Sequence, residues 1–330
     1  MDNRRNDWID CIAGVLIIRM ILGHYISYAG LKTSPMFSAL DLLFFYMPWF
    51  FYKSGMFYRS VENMTEWKVR VLRNTKSLMI PYVFFSMFGI IIGWVCFYLT
   101  NDSTLKPTFT TIVSNFIGMG CYYWSSPLWF LLTLSLVKII TPPILKYVNI
   151  YILLIGSIGM AFAHYYFMNG HYNWLGNTCS GMAFYLIGII SSKRQYKKVW
   201  IAISLIVMTL IGFCTPTFVS MFSNTLQNNG CYLLWYPFCI SGIILINNLF
   251  KFLHSQGLLF PILNTIGKES MAYYLIHFSL PVLFCKLHLF KTPNGNHWEF
   301  LCYLLVTTII TLPICVTILT KTKLKILIGK

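Results

Sequence analysis

Asp10, Arg19 and His24 stand inside the first long apolar run of this chain, WIDCIAGVLIIRMILGHYISYA over 8–29. Ionisable groups at membrane depth are costly, so they face a protein interior or a watery cavity. An imidazole with an ordinary pKa of about 6.5 takes up a proton near neutral pH, which makes His24 a candidate general base. Asp41, at the outer start of the next apolar run, is the candidate to orient it, although a residue there also reads as a helix N-cap. Asp10 and His24 are fourteen residues apart, close to four helical turns, hence on nearly one face and about 21 Å apart. Arg19, five residues before His24, lies about 140° round the helix from it.

A second set is cationic. Arg70 and Arg73 are three residues apart, a spacing suited to clamping phosphates with charge-assisted hydrogen bonds, although basic residues beside a span also serve topology. Lys53 lies near the end of its apolar run and can snorkel to the interface. A third set, Ser270, Tyr273 and His277, recurs at i, i+3 and i+7. It forms a polar stripe that either glues helices together or positions a substrate opposite His24. Trp129, with Tyr122, Tyr123 and Trp124, reads as an interfacial belt whose rings can also stack on sugars. The ten cysteines show no CxxC pair and no metal spacing, so they read as small hydrophobes and no metal centre is expected. Cys121 and Cys179 are the candidates for a disulfide on the outer side.

Hydrophobic residues make up 57% of the 330 positions and charged ones 10%, and the mean hydropathy is +0.66. No soluble domain of this size could cover such a composition with a water-compatible surface, so the solvent is lipid. The net charge of +16 does not point to nucleic acid, because Lys and Arg cluster between spans. These clusters are Arg4 and Arg5; Arg59, Lys68, Arg70, Arg73 and Lys76; Lys193, Arg194, Lys197 and Lys198; and Lys321, Lys323, Lys325 and Lys330. The positive-inside rule places all four in the cytoplasm, with an even number of spans between them.

An all-α polytopic membrane protein with about ten transmembrane helices and both termini cytoplasmic satisfies that parity. The runs are 8–29, 39–58 (kinked at Pro48), 77–99, 127–147, 150–168, 177–192, 199–215, 229–250, 266–290 and 298–320. The apolar piece 109–121 is too short to span and reads as interfacial or re-entrant. The first run is not a cleaved signal peptide, since Arg19 interrupts a long apolar core. Residues 1–330 read as a single transmembrane domain with no soluble appendage.

Several stretches, in order along the chain, resemble the acyltransferase-3 family of integral membrane acyltransferases. They are Ile9-Asp10 with Gly23-His24; Asp41, Met47-Pro48, Phe50-Phe51 and Ser54-Gly55; Arg70-x-x-Arg73 leading to Pro81-Tyr82; Pro127-Leu128-Trp129-Phe130-Leu131; and Ile266-Gly267, Ser270 and Tyr274-Leu275-Ile276-His277. The resemblance implies a ten-helix O-acyltransferase of the bacterial inner membrane. It would move an acyl group, commonly acetyl, from cytoplasmic acetyl-CoA or another acyl-CoA to a hydroxyl of a cell-surface polysaccharide or lipid-linked sugar. Carried over by position, His24 is the catalytic base, Asp41 the acidic residue of the second helix, and Arg70 and Arg73 the phosphate ligands. Trp129, Ser270, Tyr273, Tyr274 and His277 are the substrate-side candidates. The family usually has Lys or Arg eleven positions before the histidine; this chain has Ala13, so either Lys53 or Arg19 supplies the missing charge to the coenzyme from another direction or coenzyme handling is weakened or altered. A transporter or flippase of lipid-linked sugars would use the same intramembrane His, Arg and Asp, but no inverted repeat is visible.

Overall fold

The computed structural model describes residues 7–168, 170–192, 198–227, 230–258, 260–278 and 297–330, without the side chains of Tyr123 and Trp124. The basic residues Arg4, Arg5, Lys193, Arg194 and Lys197, and the end of the expected ninth span, lie outside them.

The chain is helical almost throughout. Its first helix, α1 (Asp7–Tyr28), is the axis of the bundle, with Ile12, Ala13, Leu16 and Tyr25 fully buried. Helices α2 (Pro35–Asp41) and α3 (Tyr46–Met56) follow, then α4 (Met64–Asn74), which runs through a π turn over Thr75–Met79 into α5 (Ile80–Thr100). After the short α6 (Phe109–Met119) come α7 (Trp129–Leu145), α8 (Ile150–Met168), α9 (Asn173–Ser191) and α10 (Lys198–Thr209). A two-stranded hairpin pairs β1 (Val219–Ser220) with β2 (Thr225–Leu226). Helices α11 (Trp235–Ser255), α12 (Pro261–Lys268), α13 (Ser270–Ile276) and α14 (His297–Lys321) complete the order, and the 3₁₀ turns of Lys323–Ile328 follow.

Among the described residues, six helical stretches are long and apolar enough to cross a membrane: Asp7–Tyr28, Met64–Thr100, Ser125–Leu145, Ile150–Met168, Tyr232–Ser255 and His297–Lys321. Side chains such as Ile155 and Ile309, each 71% exposed, give these helices an apolar outer surface of the kind that lipid covers. Of the remaining expected spans, 177–192 falls on α9, as long as α8 but less apolar, and the others on broken or shorter helices. Run 39–58 is two helices, because i→i−3 turns over Asp41–Tyr46 separate α2 from α3. Pro48 therefore stands in the first turn of α3, where its missing N–H costs nothing, rather than at a kink inside a long span. Run 266–290 breaks at Glu269 between α12 and α13.

Two close crossings hold the centre. A Cβ on Gly14 or Gly267 would fall on the backbone of the partner helix, Leu263 or Asp10, so α1 and α12 meet backbone to backbone. Gly55 and Gly188 do the same for α3 and α9, which is how helices pack where no hydrophobic effect drives them together. The nine described cysteines are free, Cys121 and Cys179 included, so the expected disulfide is absent. Cys121 instead donates its thiol to Ser126 O at 3.2 Å.

Candidate functional site

One face of α1 explains the site. Ile17, Met20 and His24 stand at i, i+3 and i+7, and they line two separate cavities that share part of their walls. The histidine cavity, of about 220 Å³, is lined by Met20 and His24 of α1 and by Phe44, Tyr46, Met47 and Pro48. Ser126, Pro127 and Trp129, the hairpin residues Val219–Phe222, and Tyr274 complete its wall. The lysine cavity, of about 340 Å³, is lined by Ile17, Met47, Phe50, Lys53, Ser54, Ser77, Leu78, Phe130, Leu134, Lys138, Ser270, Met271, Tyr274 and Ile328–Lys330. Met47 and Tyr274 belong to both and form the septum between them. The Tyr274 hydroxyl donates to Pro127 O, and its ring lies 5.6 Å from that of Phe130.

His24 packs its ring 5.3 Å from His277 and edge-on to Phe278. Among the described residues it has no hydrogen-bond partner, so its nitrogens are available to the cavity. His277 is fully buried; its Nδ1 lies 2.7 Å from Tyr274 O, which fixes the proton on Nδ1. Its Nε2, then an acceptor, is buried without a partner among the described residues.

Asp41 does not reach His24. It ends α2 instead of capping a helix start, a role taken by Ser34, whose Oγ accepts the Phe37 N–H. The Asp41 carboxylate lies 3.8 Å from Arg19 Nη2. Arg19, 6% exposed, also donates Nε–H to Leu40 O and sits 4.2 Å from the Tyr46 ring. Its guanidinium fits against the α1 backbone because Gly23 has no side chain; a Cβ there would be 3.1 Å from Nη1. Arg19 therefore braces the wall of the histidine cavity beside His24 and is remote from the other cations. An acidic residue at a helix C-terminus opposes the helix dipole, and the arginine compensates it.

The other candidate charges, Asp10, Lys53, Arg70 and Arg73, lie away from the histidine cavity. Lys53 Nζ lies 3.8 Å from Asp10 and 5.4 Å from the Trp49 ring, so it pairs inside the bundle instead of snorkelling away. Asp7 meets Lys268 at 3.3 Å, and Glu269 pairs with Lys330. Arg70 and Arg73 ride on α4, an amphipathic surface helix with no buried residue, capped by Asn63 and tied to α7 by a Trp67–Ile139 hydrogen bond of 3.1 Å. The Arg70 guanidinium is held by the carbonyls of Arg59 and Ser60, so the two arginines stand at the rim and do not line the cavity. Ala13 is fully buried in the core.

The expected stripe on the ninth run divides. Ser270 and Tyr274 face the cavities and His277 meets His24, whereas Tyr273 turns into a lateral apolar groove with Ile18, Ile21 and Tyr25. Trp129 is 5% exposed and belongs to the wall of the histidine cavity instead of an interfacial belt.

Sequence reasoning missed the hairpin and Lys138. The hairpin is fixed by Asn224, whose Nδ2 bonds His164 Nδ1 at 3.0 Å and whose Oδ1 accepts from the Tyr232 hydroxyl at 2.7 Å. Its turn residues Ser223-Asn224 signalled a loop but not a cavity wall. Lys138 was legible as a lysine well inside an apolar run, away from both ends.

The fold is that of an all-α integral membrane protein, a helical bundle with a histidine in one internal cavity and lysines in another. A family model described as an acyltransferase domain, the acyltransferase-3 family, matches residues 6–319, nearly the whole chain. The chain belongs to that family of membrane acyltransferases. No curated protein and no solved structure matches it.

Proposed function

We propose that the protein is a membrane O-acyltransferase that passes an acetyl group from acetyl-CoA to a hydroxyl of an extracytoplasmic glycan or glycolipid. The observation that carries this reading is a pair of neighbouring cavities, one lined by His24 without a charged side chain among the described residues and one lined by lysines, that share Met47 and Tyr274 as a common wall. By the positive-inside rule the lysine end faces the cytoplasm and the histidine end the outside.

The lysine cavity fits an extended arm, apolar at Ile17, Phe50 and Phe130 and cationic at Lys53 and Lys138. At about 340 Å³ it leaves a nucleotide at the rim, where Arg70 and Arg73 stand. On the other side, Trp129 and Tyr46 offer aromatic faces to a sugar. His24 takes the proton of the acceptor hydroxyl as its oxygen bonds the thioester carbonyl carbon. The C–S bond then breaks and the proton passes to the departing thiolate. Asp41 supports His24 only through Arg19 and the cavity wall. Holding both reactants at one septum supplies much of the acceleration by proximity.

The test is transfer from labelled acetyl-CoA to surface glycans in membranes carrying wild type or His24→Ala at equal levels. Loss of transfer with retained acetyl-CoA binding supports the reading. Normal turnover of the variant removes His24 from the chemistry, and no binding of acetyl-CoA by folded wild type removes the donor.

A further inference from the structure

The carboxylates at the lysine end can be accounted for one by one. Asp7 is with Lys268, Asp10 with Lys53 and Glu269 with Lys330. Glu62 and Glu66 belong to the start of α4, where Glu66 Oε2 accepts the Glu62 N–H. Among the described residues no carboxylate is left for Lys138, and none lies within ion-pair distance of it. Its charged neighbours are of like sign, Arg73 nearby and Lys53 and Lys330 on the wall of the same cavity. An ammonium inside a spanning helix, in a cavity lined by Phe130 and Leu134 of the same helix, at 6% and 5% exposure, is expensive without a counter-ion. A lysine that needed only water is found two turns on, at Lys146 beyond the end of α7.

We propose that Lys138 is the anion anchor of the lysine cavity and that its ligand is the diphosphate of the acyl-CoA donor. The proposal rests on the acyltransferase reading above. The spacing on α7 supports the assignment. Phe130, Leu134 and Lys138 recur at i, i+4 and i+8 along the cavity wall, so the septum and the ammonium are separated by about 12 Å of helix rise. That is the scale of a pantetheine arm, and a diphosphate on Lys138 sets the thioester against Tyr274. Helix α3 repeats the gradient with Met47, Phe50 and Lys53. Lys53 and Lys330 already hold carboxylates, so Lys138 supplies the unneutralised charge. A phospholipid headgroup has the same phosphate chemistry, and lipid composition separates the two sources.

The experiment is equilibrium binding of labelled acetyl-CoA to the full chain in nanodiscs of zwitterionic or anionic lipid, at two salt concentrations. It compares wild type with Lys138→Met and Lys138→Arg, with acetyl-pantetheine, which lacks the phosphates, as competitor. We expect Lys138→Met to weaken acetyl-CoA binding by about tenfold or more and to flatten its salt dependence. Lys138→Arg should stay within about threefold, and competition by acetyl-pantetheine should be unchanged. Removing a charge from a spanning helix does not threaten folding, and the thermal midpoint checks it. Lys138→Met binding like wild type, or equal loss toward acetyl-pantetheine, overturns the anchor while leaving the acyltransferase reading intact. Wild-type affinity falling in anionic lipid with no acetyl-CoA effect of the substitution assigns the site to a headgroup instead. No acetyl-CoA binding by any folded form ends both readings.

Discussion

The two cavities are lined by the same four helices, α1, α3, α7 and α13, yet they present opposite chemistry. Toward the histidine end those helices contribute His24, Tyr46, Met47, Trp129 and Tyr274, and among the described residues no charged side chain lines the space. Toward the lysine end they contribute Lys53, Ser54, Lys138 and Ser270. The difference is a matter of position along the helices: about two turns separate Tyr46 from Lys53 on α3 and about two and a half separate Trp129 from Lys138 on α7. The two ends also keep their charges differently. Arg19 and Asp41 neutralise each other behind the histidine wall, whereas the lysine end carries more cations than carboxylates.

That contrast can be broken from either side. The largest effect is expected for His24→Ala, which should lower transfer by about a hundredfold or more, the usual yield of a positioned base, while acetyl-CoA affinity stays within about twofold. A joint loss of transfer and donor binding would mean that the cavities are not separable. The Arg70→Ala/Arg73→Ala pair should weaken acetyl-CoA binding by about tenfold, with a shallower salt dependence; transfer at saturating donor should persist. Trp129→Ala should raise the acceptor KM several-fold, about the worth of one aromatic contact, and leave the donor KM unchanged, as steady-state kinetics with each substrate varied would reveal. The smallest change is expected for Asp41→Asn. The carboxylate is 23% exposed and 3.8 Å from Arg19, so its loss should lower stability by about 1 kcal/mol, discounted for solvent. Donor binding should not respond.

Much of this was legible in the residues. The apolar run 8–29 with its three ionisable groups marked α1 as the axis, and the i, i+3, i+7 spacing of Ile17, Met20 and His24 places one stripe along both cavities. Hydropathy could not find the breaks at 41–46 and at Glu269, because a window that averages apolar character does not register whether backbone hydrogen bonding continues through it. Nor could spacing pair the charges. Asp41 is nearer in sequence to His24 than many residues, but the turn after α2 delivers it to Arg19. Lys53 was read as a snorkelling end group because its partner, Asp10, lies 43 positions away on a helix whose contact with α3 only the fold creates. The assignment of Tyr273 to the same face as Ser270 and His277 failed for a related reason, since a ring at i+3 can turn to the neighbouring groove while Tyr274 takes the cavity.

The septum of Met47 and Tyr274 has an electrical consequence. In the proposed orientation, two recesses that fill with water or substrate from opposite sides of the bilayer would thin its insulating layer, so the membrane potential would fall mainly across that shared wall. At about 2.3 kcal/mol per elementary charge per 100 mV, any charged species passing between the recesses feels nearly the whole field. The Tyr274 hydroxyl anchored on Pro127 O is then the seal of a capacitor, and a membrane-current measurement on a Tyr274→Ala variant would register its loss as a proton leak.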